Sequence, residues 1–334
     1  MNRKIYDVIS LGGATRDITF YTDEGQVIDT PEDLTRQKLI GFEYGAKMIS
    51  DKVHFGLGGG GCNTSVSFAR LGLNNACWIT VGNDREGDSI IKDLKNEGVD
   101  TKYVQRNSGL STGFSFITIA EKSKDHVAFL YRGSNNASIF PKNAAKILKT
   151  EWLYVSSLTG KTWLNNAKSI VKFIKESGTK LGWNPGETQL KAGKKKLSPV
   201  LKVTDILFIN KDEAIELVLS AGLIPKQINN ARALSKIIQA WGPKIVVITD
   251  GRKGAYVYDG KNSYFSKVID RKVIDTTGAG DCFGSSFVAG MIHFNGNIKK
   301  AVYLCMLNTA SLVQKTGAQN GLIYWKDVKN KFKK

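Results

Sequence analysis

Four cysteines and three histidines are all that the 334 residues supply. Cys62, Cys77, Cys282 and Cys305 stand far apart and without CxxC spacing, which excludes a zinc centre or a disulfide framework as the organising device. Reduced thiols fit a cytosolic setting. Long apolar runs are missing too: none approaches the ~20 residues of a membrane-spanning helix. The opening MNRKIYDVISLGG becomes a strand too soon for a secretory leader. The expectation is a cytoplasmic protein without a membrane partner. Acidic residues are scarce, with 30 Asp and Glu against 48 Lys and Arg, a formal charge of +18. Such a field draws in anionic substrates. The lysine clusters, at Lys191 to Lys196, at Lys299-Lys300 and in the tail, are not interleaved with aromatics, and no nucleic-acid motif accompanies them. A solvated basic surface is therefore the reading, and nucleic acid is not the expected partner.

What the chain does have is glycine punctuating an alternation of strands and helices. YDVISLGG at Tyr6 to Gly13 reads as a buried strand ending in glycines. CWITVG, WLYVSS, LGWN, DILFIN and KIVVIT follow as apolar strands with helical patterns between them. That alternation indicates a mostly parallel central sheet with helices on both faces. Length allows about two domains at ~150 residues each; the continuous pattern favours one α/β domain over 1–334. Two stretches stand apart from it. The polar segment Tyr21 to Asp51 is too long for a simple connection, and Thr112 to Ala120 with His126 to Arg132 alternates as an antiparallel pair. Together they suggest a small β-sheet lid drawn from about 17–57 and 100–132.

The sharpest chemistry lies in VIDTTGAGDCFGSSFVAG, Val273 to Gly290: a strand end, a glycine turn and a helix start. The free N–H groups of such a start, with the positive end of the helix dipole, hold an anion. Asp281 stands there, either as an N-cap or as a general base beside a delivered phosphoryl group. Cys282 beside it reads as a small buried residue. Gly58 to Gly61 is a run of four glycines that lets the backbone approach a ligand, and Asn63 begins the following helix, as a cap or as a donor to sugar hydroxyls. Asp17 falls just beyond the first strand, where open α/β sheets bind ligands. In Asn210-Lys211-Asp212-Glu213 the spacing serves equally for a capping box or for orienting water around magnesium. Thr249 to Gly254 reads as a hairpin or as a turn beneath nucleotide phosphates. LTGKTW at Leu158 to Trp163 contains GKT, but Val155 stands where a P-loop needs its leading glycine.

Taken in order, GGATRD, GGGGCNTSVSFARLG, RGSNNA at Arg132 to Ala137, WNP at Trp183 to Pro185, NKDE, TDGRKGA, DTTGAGD and KTGAQ at Lys315 to Gln319 resemble the ribokinase-like, or PfkB, carbohydrate kinases over nearly the whole chain. The resemblance implies a three-layer ribokinase-like sandwich with a lid. Asp281 would be the general base, and the N–H groups of Gly278, Ala279, Gly280 and Asp281 the anion hole. Asp17, Gly59, Gly60 and Asn63 would line the acceptor's place. Asn184, Thr249, Gly251, Gly254 and Asn308 would line the nucleotide. Asn210 and Glu213 would serve Mg2+ through water, while Asp275, Thr277 and Gly317 mark a possible K+ site. ATP and a sugar would be the substrates, and a homodimer through the lid is implied as possible. Two departures leave the acceptor open. Gly60 replaces the lysine of ribokinases proper, and their sugar-contacting glutamate has no counterpart near Ser157. A nucleoside kinase, with Phe114, Phe116 and Tyr131 stacking on a base, is the alternative within the fold. A basic binding protein without catalysis is the third reading.

Overall fold

A computed structural model describes residues 6–22, 24–30, 38–50, 52–120, 126–224 and 228–332. The chain enters through β1 (Tyr6–Leu11) and leaves the body for β2 (Thr15–Thr22) and a short hairpin, β3 (Gln26–Asp29) with β4 (Lys38–Gly41). It returns through β5 (Lys52–Gly58), α1 (Gly60–Arg70), β6 (Asn75–Trp78), β7 (Thr80–Gly82), α2 (Arg85–Asn96) and β8 (Gln105–Asn107). A second excursion, β9 (Gly113–Ala120) and β10 (His126–Tyr131), precedes α3 (Ala144–Ile147), β11 (Thr150–Val155), α4 (Trp163–Ser177) and β12 (Lys180–Trp183). Then come α5 (Glu187–Lys191), α6 (Gly193–Leu201), β13 (Ile206–Asn210), α7 (Lys211–Leu219), α8 (Ala231–Gln239) and β14 (Ile245–Thr249). The hairpin β15 (Ala255–Tyr258) and β16 (Ser263–Ser266) leads to α9 (Ala279–His293), α10 (Ile298–Leu312) and α11 (Trp325–Val328).

The central sheet runs β16-β15-β14-β13-β12-β11-β1-β6, parallel from β6 to β14 and antiparallel at the β15–β16 edge. Successive strand side chains point to opposite faces, and both faces are apolar. Ile9, Leu153, Leu207 and Val246 pack with α3 to α8, while Val8, Tyr154, Phe208 and Val247 pack with α1, α9 and α10. This is the predicted three-layer arrangement. Among the described residues no helix is long and apolar enough to cross a membrane.

The lid is a four-stranded sheet in the order β10-β9-β2-β5. One boundary differs from the expected span. Residues 105–107 pair in parallel with β7 as a two-stranded annex of the body, so the lid begins at Gly113 rather than near 100. CWITVG is accordingly two strands, broken at Ile79, because its second half leaves the central sheet to meet β8. Of the polar segment 21–51, the described residues form the end of β2, the β3–β4 hairpin and a loop; residues 23, 31–37 and 51 lie outside the described residues.

Candidate active site

The site lies where the parallel strands end. Gly12 and Gly13 follow β1, Ser156 follows β11, Asn184 follows β12, Asn210 closes β13 and Thr249 closes β14, with the start of α9 in front of them. Strand ends collect ligands in such sheets because the connections diverge there and leave a crevice.

At the centre, Gly278 adopts φ 73°, a left-handed conformation that glycine permits, and α9 begins immediately after it. The N–H of Ala279 closes the turn on the Thr276 carbonyl at 3.1 Å. That removes it from the expected anion hole. The N–H groups of Gly278, Gly280 and Asp281 have no hydrogen-bond partner among the described residues. A Cβ on Gly280 would meet nothing within 4 Å, so the space before the helix is open. Asp281 is not an N-cap for this helix; its carboxylate accepts from Asn63 Nδ2 at 2.9 Å. Burial pushes its pKa above the usual carboxylate range, and the Asn63 bond pulls it partly back. Cys282 is buried and its thiol is pushed up to about 12, which rules it out as a nucleophile near neutral pH.

On one side of Asp281 lies the glycine run. A Cβ on Gly60 would stand 2.6 Å from Ser156 Oγ and 3.2 Å from Asp281 Oδ1, so this position has no room for a side chain. Gly59, at φ 87°, passes over the backbone of Gly13 and Ala14. Asp17 points from β2 into the same region, over Gly58. Its Oδ1 accepts from Thr15 Oγ1 at 2.9 Å and Ser115 Oγ at 2.6 Å. Burial raises its pKa, and the two hydroxyls oppose the rise. Asn135 ties the lid to the body, exchanging hydrogen bonds of 2.8 Å with the Ala14 N–H and carbonyl.

On the other side, a cleft of about 110 Å³ is lined by Asn184, Asn210, Glu213, Thr249, Gly280 and Phe283. Asn210 and Glu213 do form the reciprocal capping box, at 2.8 and 2.9 Å, and line the cleft as well. Glu213 is partly buried, and desolvation raises its pKa. Next to it lies a larger apolar slot of about 560 Å³ that includes Gly251, Val268, Val273, Ala279, Met306, Ala310 and Val313. Gly254 serves the β14–β15 turn at φ 115°, packed against the Ser266 backbone, and does not line either space.

Asn308 does not reach the slot. It is fully buried, its Nδ2 donates to Ser286 Oγ at 2.8 Å, and its Oδ1 accepts from the Ile323 N–H at 2.9 Å. An i, i+1 step on α10 explains the error, since helical neighbours face different ways and it is Thr309 and Ala310 that turn toward the slot. Asn308→Ala is expected to cost roughly 1–3 kcal/mol by stranding two buried partners; a denaturant melt checks it.

Asp275, Thr277 and Gly317 do come together. Asp275 Oδ1 accepts from the Thr277 N–H and hydroxyl at 2.8 and 2.7 Å, and its Oδ2 from the Gly317 N–H at 2.7 Å. Both carboxylate oxygens are thus engaged in clasping the two loops. The lid aromatics fall elsewhere. Alternation along β9 puts Phe114 and Phe116 on the face opposite Ser115, and Tyr131 pairs with Phe114. These rings stand on the outer face of the lid, away from Asp17. Ser115, Ser156 and Gln319 were missed as site residues. Ser115 is adjacent to Asp17 only through the β2–β9 pairing, and Ser156 approaches Gly60 only because β11 and β1 are neighbours.

The model of the pfkB family of carbohydrate kinases matches residues 32–324. Ribokinase of Haemophilus influenzae is 26% identical over 280 residues, 83% of this chain and 88% of that protein. Ribokinase of Lactococcus lactis is 29% identical over 283 residues, covering 83% of this chain and 85% of its own. Among solved structures, Arabidopsis thaliana ribokinase complexed with ribose and ATP superposes with a TM-score of 0.81 at 19% identity, covering 98% and 99% of the two chains. A Burkholderia thailandensis nucleoside kinase in complex with inosine gives 0.76 at 16% identity over 97% of each chain. At these identities the structural likeness speaks to the fold.

Proposed function

The chain belongs to the pfkB family of carbohydrate kinases, and from that membership we propose an ATP-dependent phosphotransferase that moves the γ-phosphoryl group to a hydroxymethyl group of a sugar or sugar-like acceptor. One observation carries the reading: Asp281 faces the glycine run and Asn63 on one side, while free N–H groups at the head of its helix face the Asn184–Glu213 cleft on the other. A hydroxyl held by Asp17 and the glycine run would surrender its proton to Asp281 as its oxygen attacks phosphorus. The phosphoryl oxygens would be held by the N–H groups of Gly278, Gly280 and Asp281, positioned before the reaction begins. The apolar slot suits the nucleotide base, and the adjoining polar cleft suits its phosphates.

Hard oxygen donors suit magnesium, and Glu213 fits that use. Its Oε2 is engaged by the Asn210 N–H, which leaves Oε1 for a metal-bound water. Mg2+ would neutralise phosphate charge. For K+, the Asp275 carboxylate is already occupied by three donors, so a cation between these loops would have to take its oxygens from elsewhere.

A sugar is favoured over a nucleoside as acceptor because Phe114, Phe116 and Tyr131 face away from Asp17. That outer face suits a second lid instead. Val53, Phe55, Phe114, Phe129 and Tyr131 are exposed there by 40% or more, an apolar patch that supports a homodimer. Non-catalytic binding is set aside by the family match. The test is ADP release from ATP and Mg2+ with a panel of pentoses, hexoses and nucleosides. Release with a sugar, and a rise in that sugar's KM of roughly tenfold or more in Asp17→Asn with KM for ATP unchanged, is the expected result. No release above the acceptor-free rate with any member would sink the proposal.

A further inference from the structure

Gln319 has no role in the reading above, yet it stands behind the base. Its Nε2 donates to the Leu57 carbonyl at 3.1 Å and to Asn63 Oδ1 at 2.9 Å. A backbone carbonyl only accepts, so the nitrogen end of the Gln319 amide is the end that faces it. The assignment then propagates. Asn63 must turn its oxygen to Gln319 and its nitrogen to Asp281, to whose Oδ2 it donates at 2.9 Å. The two ends of an amide have nearly the same shape, and only a network gives them direction. Here the direction originates in the Leu57 carbonyl of β5, a lid strand.

We propose that Gln319 is a positioning residue of the phosphotransferase: anchored on the lid carbonyl of Leu57, it holds the Asn63 NH2 toward Asp281 and so keeps that carboxylate ionised and aimed. The inference rests on Asp281 being the base. Other titratable groups facing Asp281 are Cys62 on α1, Tyr154 on β11 and Cys282 on α9. Burial drives all three upward, so they are neutral near pH 7. Asp17 and Arg16 lie beyond Cys62, and their charges oppose each other there. Asp281 has no ion pair among the described residues. The Asn63 donor is therefore the chief stabiliser of its charge. The loop of Gln319 also carries Gly317, whose N–H is held by Asp275, so the relay is fixed at both ends.

Gln319→Glu reverses the chain's polarity. A carboxylate facing Asn63 draws the Asn63 NH2 to itself and turns the amide oxygen toward Asp281. Gln319→Met keeps the volume and removes only the direction. In full-length protein labelled with 13C-carboxyl aspartate, the Asp281 resonance, identified by its loss in Asp281→Asn, is expected to titrate about one pH unit higher in Gln319→Glu. It should move less, in the same direction, in Gln319→Met. The acid limb of kcat/KM should move with it by about the same amount, with KM for ATP unchanged. If Asp281 titrates as in wild type in both variants, the proposal is overturned, whatever the activity or melting temperature. A wild type that phosphorylates nothing defeats the function instead, and the NMR titration still decides the relay.

Discussion

Asp281→Asn is expected to lower kcat by about 10²–10⁴-fold, the range a positioned general base contributes. Asparagine has the same shape, but it cannot take the proton of the attacking hydroxyl. The N–H groups of Gly278, Gly280 and residue 281 survive the change, as do the two clefts beside them, so on the proposed reading ATP should bind with its affinity unaltered in calorimetry. Stability should move the other way. Burial raises the Asp281 pKa, so its contribution to stability is fully present below the unfolded value and is lost as pH rises through the folded one. Above its raised pKa the ionised carboxylate is therefore a cost, and there Asp281→Asn should melt no lower than wild type. The same shift sets the pH profile: wild-type kcat/KM should rise with pH through a midpoint above the usual carboxylate range, and that limb should vanish in the variant's residual rate. A near-normal kcat would remove Asp281 from the chemistry; a lowered melting temperature would show that its role is structural.

Gly60→Ala is expected to cost both activity and stability, and Ser156→Gly in the same chain to restore much of each. The added Cβ would stand 2.6 Å from Ser156 Oγ and 2.7 Å from Ser156 Cβ. Rotating the hydroxyl relieves only the first of these. Overpacking of this kind costs roughly 1–3 kcal/mol. Since Asp281 Oδ1 lies 3.2 Å from the same point, the strain reaches the base, and a displacement of about 1 Å there would lower kcat about 10²-fold. Ser156→Gly removes both clashing atoms and gives up one 3.3 Å bond to the Leu11 carbonyl. The double variant should therefore be better than the sum of the singles. Additive losses in melts and kinetics would show that Gly60 is constrained by something other than Ser156.

Much of this molecule was legible in order along the chain. Apolar strands buried on both faces, glycines at their ends and helical spacing between them define a doubly covered parallel sheet, because hydrophobic period and backbone freedom are local properties. The helix start at Gly278 to Asp281 was legible for the same reason: the glycine turn, the carboxylate and the free N–H groups all fall within one helical turn. Ala279 was the exception, since the Thr276 carbonyl that claims its N–H depends on how the turn closes.

Pairings across the chain were not legible. Ser115 meets Asp17 through strand register 98 residues apart, Asn63 meets Asp281 across 218, and Gln319 meets Asn63 across 256. No local pattern encodes which carbonyl will orient a distant amide. Asn308 failed from the opposite cause, a side-chain direction on a helix buried on nearly every side. The sequence alone determined the layered sheet and the glycine turn that opens α9, whose causes act within a few residues. Only the tertiary structure decided which way Asn63 faces, what confines Gly60 and which residues share a lid face with Asp17, because each depends on atoms brought together by the packing of the whole sheet.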